Sequence, residues 1–397
     1  MDDFEKLIRD FPHICFRKRW EISSDMHYLL GACDAIVKAL RYLPLSPQIR
    51  QHMMEVSLIK GAMATTAIEG NTLSEEEVRA IQAGNANIPQ SRKYQEQEVR
   101  NVLDALNAIY DDVVKAHKIS PVTPDLIRAF NSYVGKNLGD SFQSVPGMFR
   151  SCEVVVGTYR APDHRAVPRL VSSMCDWLRN EFAYSPEQRP DFRNGIIEAI
   201  VAHVYLVWIH PFCDGNGRSA RLLEFYLLLR SGIPNTCAHI LSNHYNNTRS
   251  EYYRHLSAAG RTGDLTDFIQ YAIIGLHDGL LDVLSQAQLH QIESCWRNYV
   301  YDTLGAKRLT QNVHDRYAKL LTHLDIFASY SREQLAKSSV EVASVYGGSD
   351  RGMILRDIKA LISFGLLEEN EDSTYSVRTK ELVDRLPKQR TFDSLKS

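Results

Sequence analysis

Apolar positions recur along most of this chain at helical spacing, and polar breaks delimit the runs. Leu29, Leu30, Ala35, Ile36, Leu40 and Leu43 mark one helical face that stops near Pro44. Residues 47–69 predict a second helix, with Met54, Leu58, Ala62 and Thr65 or Thr66 on its apolar side, ending at Gly70-Asn71. Ser74 followed by Glu77 is a capping box that starts a third. After the break at 84–89, Val99, Leu103, Leu106 and Ile109 mark a fourth, and Phe130 and Val134 a fifth that opens at Pro124. Two strongly apolar runs follow, one with Ile196, Ile197, Ile200, Val204 and Val207, the other with Leu222, Leu223, Phe225, Tyr226 and Leu229. The second stops at Gly232-Ile233-Pro234, a helix-end signal. Between the fifth helix and these runs lies Glu153-Val154-Val155-Val156-Gly157, a strand signal that residues 158–168 extend into a hairpin.

The pattern changes toward the C-terminus. A long helix is expected from about residue 263 to 304, with Leu276, Leu280, Val283 or Leu284, and Ile292 inward. Residues 313–328 predict a helix, Ser331 and Gln334 cap another, Gly347-Gly348 breaks the chain, and a third runs from about Asp350 with Ile354, Ile358, Leu361 and Ile362 inward. Gly365 suits a helix end, and Leu366-Leu367 with Thr374 to Val377 predicts a short hairpin. This order resembles a winged helix-turn-helix. The expected fold is therefore mainly α: a helical bundle with a small β-hairpin flap and a winged module. The expected divisions are an N-terminal helical region at 1–119, a core at 120–275, a linking helix at 276–305 and the winged module at 306–390.

Composition narrows the function classes. The 397 residues are 44% hydrophobic and 24% charged, an ordinary globular balance, and the net charge of −2 excludes a polyanion binder over the whole chain. The seven cysteines are odd in number and scattered without a CxxC pair, which points to a reducing compartment and away from a zinc site. No signal-peptide core stands at the acidic start, and no apolar run is read as reaching membrane-spanning length, so a soluble, cytoplasmic protein with no membrane contact is expected. In the winged module Arg351, Arg356 and Lys359 are partly offset by Asp350 and Asp357, and the wing turn carries Glu368, Glu369, Glu371 and Asp372. Those carboxylates would repel phosphates. A protein-docking or homodimer role is favoured over DNA.

The chemistry concentrates between the two strongly apolar runs, in His210-Pro-Phe-Cys-Asp-Gly-Asn-Gly-Arg-Ser-Ala-Arg221. Gly215, Asn216 and Gly217 enter the second run as a backbone nest at a helix N-terminus, a phosphate site. Arg218 and Arg221 lie one turn apart on one side of that helix, where cations are unfavourable unless an anion is near. Asp214 is a hard oxygen ligand suited to Mg²⁺. His210 has the ordinary pKa of a general base near neutrality. Phe212 reads as a structural plug, and Cys213 as incidental. His239, His244 and His255 lack metal-ligand spacing.

Every fixed position of the Fic family signature, HPFxDGNGRxxR, is filled by this stretch, and the chain resembles that family over roughly residues 50–275. The resemblance implies a protein adenylyltransferase. ATP and Mg²⁺ would be bound, His210 would take the proton of a Ser, Thr or Tyr hydroxyl on a target protein, and Arg221 would orient the γ-phosphate. Thr65, Glu69 and Gly70 match the inhibitory-helix pattern [S/T]xxxE[G/N], which implies that Glu69 pairs with Arg221. Pro146, Gly147, Arg150, Val154, Val156, Gly157, Tyr159, Pro162, Val167 and Pro168 resemble the family's flap, which holds the target near 153–168 by strand addition. Val156, Gly157 and Thr158 of the flap, with Tyr253 and Ser257 beyond the motif, are the implied nucleotide contacts. Removal of AMP at the same site and a DNA-binding regulator with a nucleotide-sensing core are the alternatives. The second glycine, Gly217, disfavours phosphorylation.

Overall fold

The computed structural model describes residues 3–183, 191–346 and 351–378. The expected break at Gly347-Gly348, Asp350 and the end of the expected winged module at 379–390 lie outside the described residues. The chain divides into two compact units, Met1–Leu284 and Ser285–Ser397.

In the first unit the helices are α1 (Asp3–Ile8), α2 (Ser24–Tyr42), α3 (Pro47–Ala67), α4 (Glu75–Gln82), α5 (Lys93–Tyr110) and α6 (Pro124–Gly135). They continue with α7 (Val167–Glu181), α8 (Phe192–Ile209), α9 (Asn216–Ser231), α10 (Ile240–Asn247), α11 (Arg249–Thr262) and the first half of α12 (Thr266–Gly305), whose second half belongs to the second unit. The expected punctuation sets these ends. Ser46 and Thr123 accept hydrogen bonds from the first turns of α3 and α6, and Ser74 and Glu77 form the reciprocal capping box of α4. Gly232 caps α9 in the left-handed region.

The core is the antiparallel pair α8 and α9, with α5, α6 and α7 packed around it and α3 beneath. Nearly every α8 residue is buried, Ile200, Val204 and Leu206 among them. This corrects the reading that no apolar run reaches membrane-spanning length. By length and composition Phe192–Ile209 does reach it. Its apolar residues point to all sides because helices surround it, so its hydropathy is spent on protein packing.

The valine stretch forms a smaller hairpin than expected. Strands β1 (Val155–Val156) and β2 (Tyr159–Arg160) pair antiparallel, Val156 opposite Tyr159, around a Gly157-Thr158 turn. Gly157 has φ +58, so the turn suits glycine. Val155 and Val156 are exposed, which ends the strand where packing stops.

In the second unit, helices α13 (Gln311–Thr322), α14 (Arg332–Ala336), α15 (Val340–Tyr346) and α16 (Arg351–Ser363) accompany strands β3 (Ser329–Tyr330), β4 (Leu367–Glu369) and β5 (Tyr375–Val377). The sheet order is β3-β5-β4, so the expected β4–β5 hairpin gains a third strand. The segment expected as a linking helix, 276–305, is the greater part of α12, and its Ile292, Trp296, Val300 and Leu304 lie in the core of this unit. Asp357 does not offset surface cations as expected. It is buried, takes both donors of Arg316 at 2.7 and 3.1 Å, and accepts from Tyr346 Oη at 2.9 Å.

Buried histidines are expected to make the first unit acid-sensitive. His203 and His239 are fully enclosed, and burial pulls both down to about 3. His239 is held by Ser57 Oγ at 2.6 Å, and His203 by Tyr252 Oη at 3.0 Å, with Glu224 3.8 Å away. A histidine whose folded pKa is depressed binds fewer protons folded than unfolded, so stability rises with pH through the window between the two values. We predict that the unfolding free energy read from urea titrations falls as pH drops below the ordinary value of 6.5, by up to about 1.4 kcal/mol per histidine per pH unit. An unfolding free energy flat across that window would contradict it.

Candidate active site

Helix α8 ends at His210, which takes the left-handed conformation (φ 50, ψ 59) and turns the chain toward the nest. That turn is pinned from outside. Arg150 donates from Nε to the His210 carbonyl at 2.7 Å and from Nη1 to the Cys152 carbonyl at 2.9 Å, and also reaches the Pro162 carbonyl. From inside, Phe212 is fully buried, and the Asn216 amide closes the loop by bonding both backbone groups of Phe212 at 2.9 Å. Gly215 then caps α9 in the left-handed region, where a side chain would also meet Val134 and Asn131. Asn131, fully buried, donates to the Asp214 carbonyl and accepts from the Gly147 N–H.

His210 is partly buried, and its Nδ1 donates to the Val207 carbonyl at 3.2 Å, since a carbonyl can only accept. Its Nε2 is therefore the basic nitrogen. Burial lowers the imidazole to about 4, with Arg150 adding to that and Glu69 and Asp214 opposing it, so it is neutral at pH 7.

Glu69 lies two residues beyond the end of α3, in a turn completed by Gly70 at φ +99. Its Oε1 accepts from Arg221 Nη2 at 2.5 Å, and the same Nη2 donates to the Thr65 carbonyl at 2.9 Å. Arg221 is 1% exposed. Burial alone would raise the Glu69 carboxyl, but the Arg221 guanidinium, with Arg218 and His210, outweighs it and holds the group below 4.5. A Cβ at Gly217 would stand 2.2 Å from Glu69 Oε1. The glycine lets the carboxylate rest on the nest itself.

Arg218 is also committed. It is buried, and it binds Glu98 Oε1 at 2.5 Å and Asp214 Oδ1 at 3.0 Å. Asn71 ties Glu98 to the Glu69 turn, donating to Glu98 Oε2 at 3.0 Å. Glu98 carried no signal in the sequence, because its partner is 120 residues away. Glu98→Ala is expected to cost roughly 1.5–3 kcal/mol of stability, read as a lower denaturation midpoint, since a part-buried charge-assisted bond to Arg218 is removed.

A cleft of roughly 1130 Å³ joins these groups. Glu69, His210, Gly217 and Arg221 line one part of it, Val156, Gly157 and Thr158 another, and Tyr253 and Ser257 a third. Asp214, Gly215, Asn216 and Arg218 are not among its lining residues. Asn216 is spent on closing the loop, and Arg218 faces Glu98. Of the paired tyrosines, Tyr252 is packed against His203, Tyr245 and Phe268, while Tyr253 is 44% exposed. Sequence reasoning missed the N-terminal wall of the cleft, Lys6 and Asp10 to His13. It also missed that Tyr159 Oη donates to the Trp208 carbonyl at 2.7 Å, which fastens the hairpin to α8.

Asp214 is the carboxylate suited to a divalent ion. About a quarter of its side chain is open (27%), and it stands beside the α9 N-terminus. Its Oδ2 also accepts from the Gln143 N–H at 3.2 Å. Mg²⁺ takes one or two carboxylates plus phosphate oxygens and waters, so this donor set fits it.

Comparison with known proteins agrees over the same elements. Residues 121–228 match the Fic/DOC family. The chain is 32% identical over 234 residues to protein adenylyltransferase fic-1 of Caenorhabditis briggsae, a match covering 58% of this chain and 42% of that protein. With fic-1 of Caenorhabditis elegans it shares 30% over 230 residues, with the same coverage. The chain thus spans about two fifths of the length of these curated relatives. Among solved structures, a Fic family protein from Desulfovibrio desulfuricans covers 91% of this chain and 98% of its own at 21% identity and TM-score 0.57, a likeness of fold. Fic-1 (134–508) from C. elegans covers 66% of this chain and 72% of its own at 26% identity and TM-score 0.55. The complete signature, held between α8 and α9 of this fold, lies within the stretch that matches the Fic/DOC family.

Proposed function

We propose that this chain is a protein adenylyltransferase held in an inhibited state by Glu69. The observation that carries the reading is the Glu69 carboxylate resting against Gly217 and bound to Arg221, in the same cleft as a neutral His210. A carboxylate there occupies the place of an anionic group of the substrate. Its removal frees a buried guanidinium and the nest for the triphosphate of ATP.

His210 Nε2 takes the proton of a Ser, Thr or Tyr hydroxyl of the target. The hydroxyl oxygen bonds the α-phosphorus, and the bond from that phosphorus to the bridging oxygen of the β-phosphate breaks, releasing diphosphate. Backbone N–H groups at Gly215, Asn216 and Gly217 hold phosphate oxygens. Arg221 orients the γ-phosphate, and Arg218 joins once it leaves Glu98. Asp214 would hold Mg²⁺, whose charge offsets that of the phosphates. Tyr253 and Ser257 flank the adenine, Val156, Gly157 and Thr158 contact the nucleotide from the hairpin side, and the hairpin near 153–168 receives an extended target segment. This is positioning and electrostatics, as suits transfer at phosphorus.

We read the second unit as a winged-helix module that docks protein, whether a target or a second copy of this chain. Its helix–strand–helix order and its three-strand sheet support the winged reading. The exposed carboxylates Glu368, Glu369, Glu371 and Asp372 support protein over DNA.

The test is incubation of the chain with cell lysate and ATP labelled on either the α- or the γ-phosphate, in parallel for Glu69→Gly. We predict label on protein from the α-position alone, stronger in the variant. Transfer of the γ-label alone would refute adenylylation. Loss of AMP from adenylylated protein, dependent on Glu69, would favour hydrolytic removal of AMP at the same site.

A further inference from the structure

Two of the seven cysteines meet at the root of the hairpin. Cys152 Sγ lies 3.1 Å from Cys213 Sγ. Cys152 is exposed and Cys213 half-buried, whereas Cys33, Cys175 and Cys237 are buried. The approach is built by the backbone. The Arg150 N–H donates to the Pro211 carbonyl at 2.9 Å, so residues 150–152 run beside 211–213 in matching register. The Arg150 side chain fastens the same segment to the His210 carbonyl. A covalent S–S bond needs about 2.05 Å, so the sulfurs close by roughly 1 Å, a shift that side-chain rotation supplies.

We propose that Cys152 and Cys213 form a reversible disulfide that ties the root of the β1–β2 hairpin to the loop carrying His210 and Asp214. Peroxide is the oxidant. The Cys152 sulfur, as thiolate, attacks one peroxide oxygen, the O–O bond breaks, and a sulfenic acid and one water form after proton transfer. The Cys213 sulfur then attacks Cys152 sulfur, the S–S bond forms, the S–O bond breaks, and a second water leaves. Each sulfur loses one electron and peroxide gains two. A dithiol reverses the bond by exchange.

The position of the tie gives it a consequence. Cys152 stands three residues before β1, and Cys213 sits between Phe212, which is locked in the core, and Asp214. The bond anchors the hairpin root to a rigid loop, and an edge that must accept a target segment loses freedom to adjust.

The test uses the full chain, treated with hydrogen peroxide, quenched by alkylation and mapped as non-reduced peptides. Linked peptides carrying Cys152 and Cys213 are expected, with two free thiols lost and both restored by dithiothreitol. Cys152→Ser should give no such link. Amide exchange at Val155 to Arg160 should slow severalfold in the oxidised wild type and stay unchanged in peroxide-treated Cys152→Ser. Cys152 ending as sulfinic acid, or linked only between molecules, would overturn the site. A link that leaves hairpin exchange unchanged would overturn the tie.

Discussion

Glu69→Gly is expected to raise AMP transfer by about one to two orders of magnitude, because it removes a charge-assisted bond of roughly 1.5–3 kcal/mol that holds Arg221. The geometry makes the variant cleaner than its sequence suggests. Glu69 lies past the last residue of α3, so glycine there does not weaken the helix interior. Gly217 stands directly beneath the carboxylate, so deletion opens the nest as well as freeing the guanidinium. Glu69→Gln is the control that keeps size and loses charge, and it should fall between wild type and Glu69→Gly. The gain should appear in turnover more than in nucleotide affinity, since ATP bound beside Glu69 would have its α-phosphate misplaced for in-line attack. Self-labelling with α-labelled ATP measures it without a known target. If neither variant exceeds wild type, Glu69 is not an inhibitory residue.

His210→Ala should lower transfer by at least about two orders of magnitude, within the range for loss of a general base. Nucleotide affinity should stay nearly unchanged, because the base acts on the target hydroxyl and not on bound ATP. His210 sits in the left-handed region, which asparagine tolerates best among non-glycine residues, so His210→Asn keeps the turn while removing the base. Both variants are best made on Glu69→Gly, where the signal is largest. The acid limb is a second readout. Burial holds the imidazole down to about 4, so the base form persists well below the ordinary 6.5 and activity is lost only as pH falls toward 4. Unchanged turnover in both variants, or an acid limb near 6.5, would remove His210 from the proposed role.

The sequence by itself determined the elements whose information is local. Helix periodicity, the capping box at Ser74 and Glu77, and the stop at Gly232 depend on residues within a turn or two of each other, and the structure carries them where they were expected. The twelve-residue motif was legible for the same reason, since its loop is closed by its own Phe212 and Asn216. Tertiary structure alone decided the rest. Glu98 meets Arg218 across 120 residues, and Arg150 holds the His210 carbonyl across 60, and no spacing along the chain encodes either contact. Apolarity all round α8 reads alike for a membrane span and a core helix, and only the helices around it settle which it is here. Asp357 looked like a surface charge until Arg316 and Tyr346 enclosed it. The second unit begins within α12 because Trp296 and its neighbours lose water only against residues far along the chain. Burial depends on what arrives from elsewhere, and a linear pattern records only what a segment has to bury.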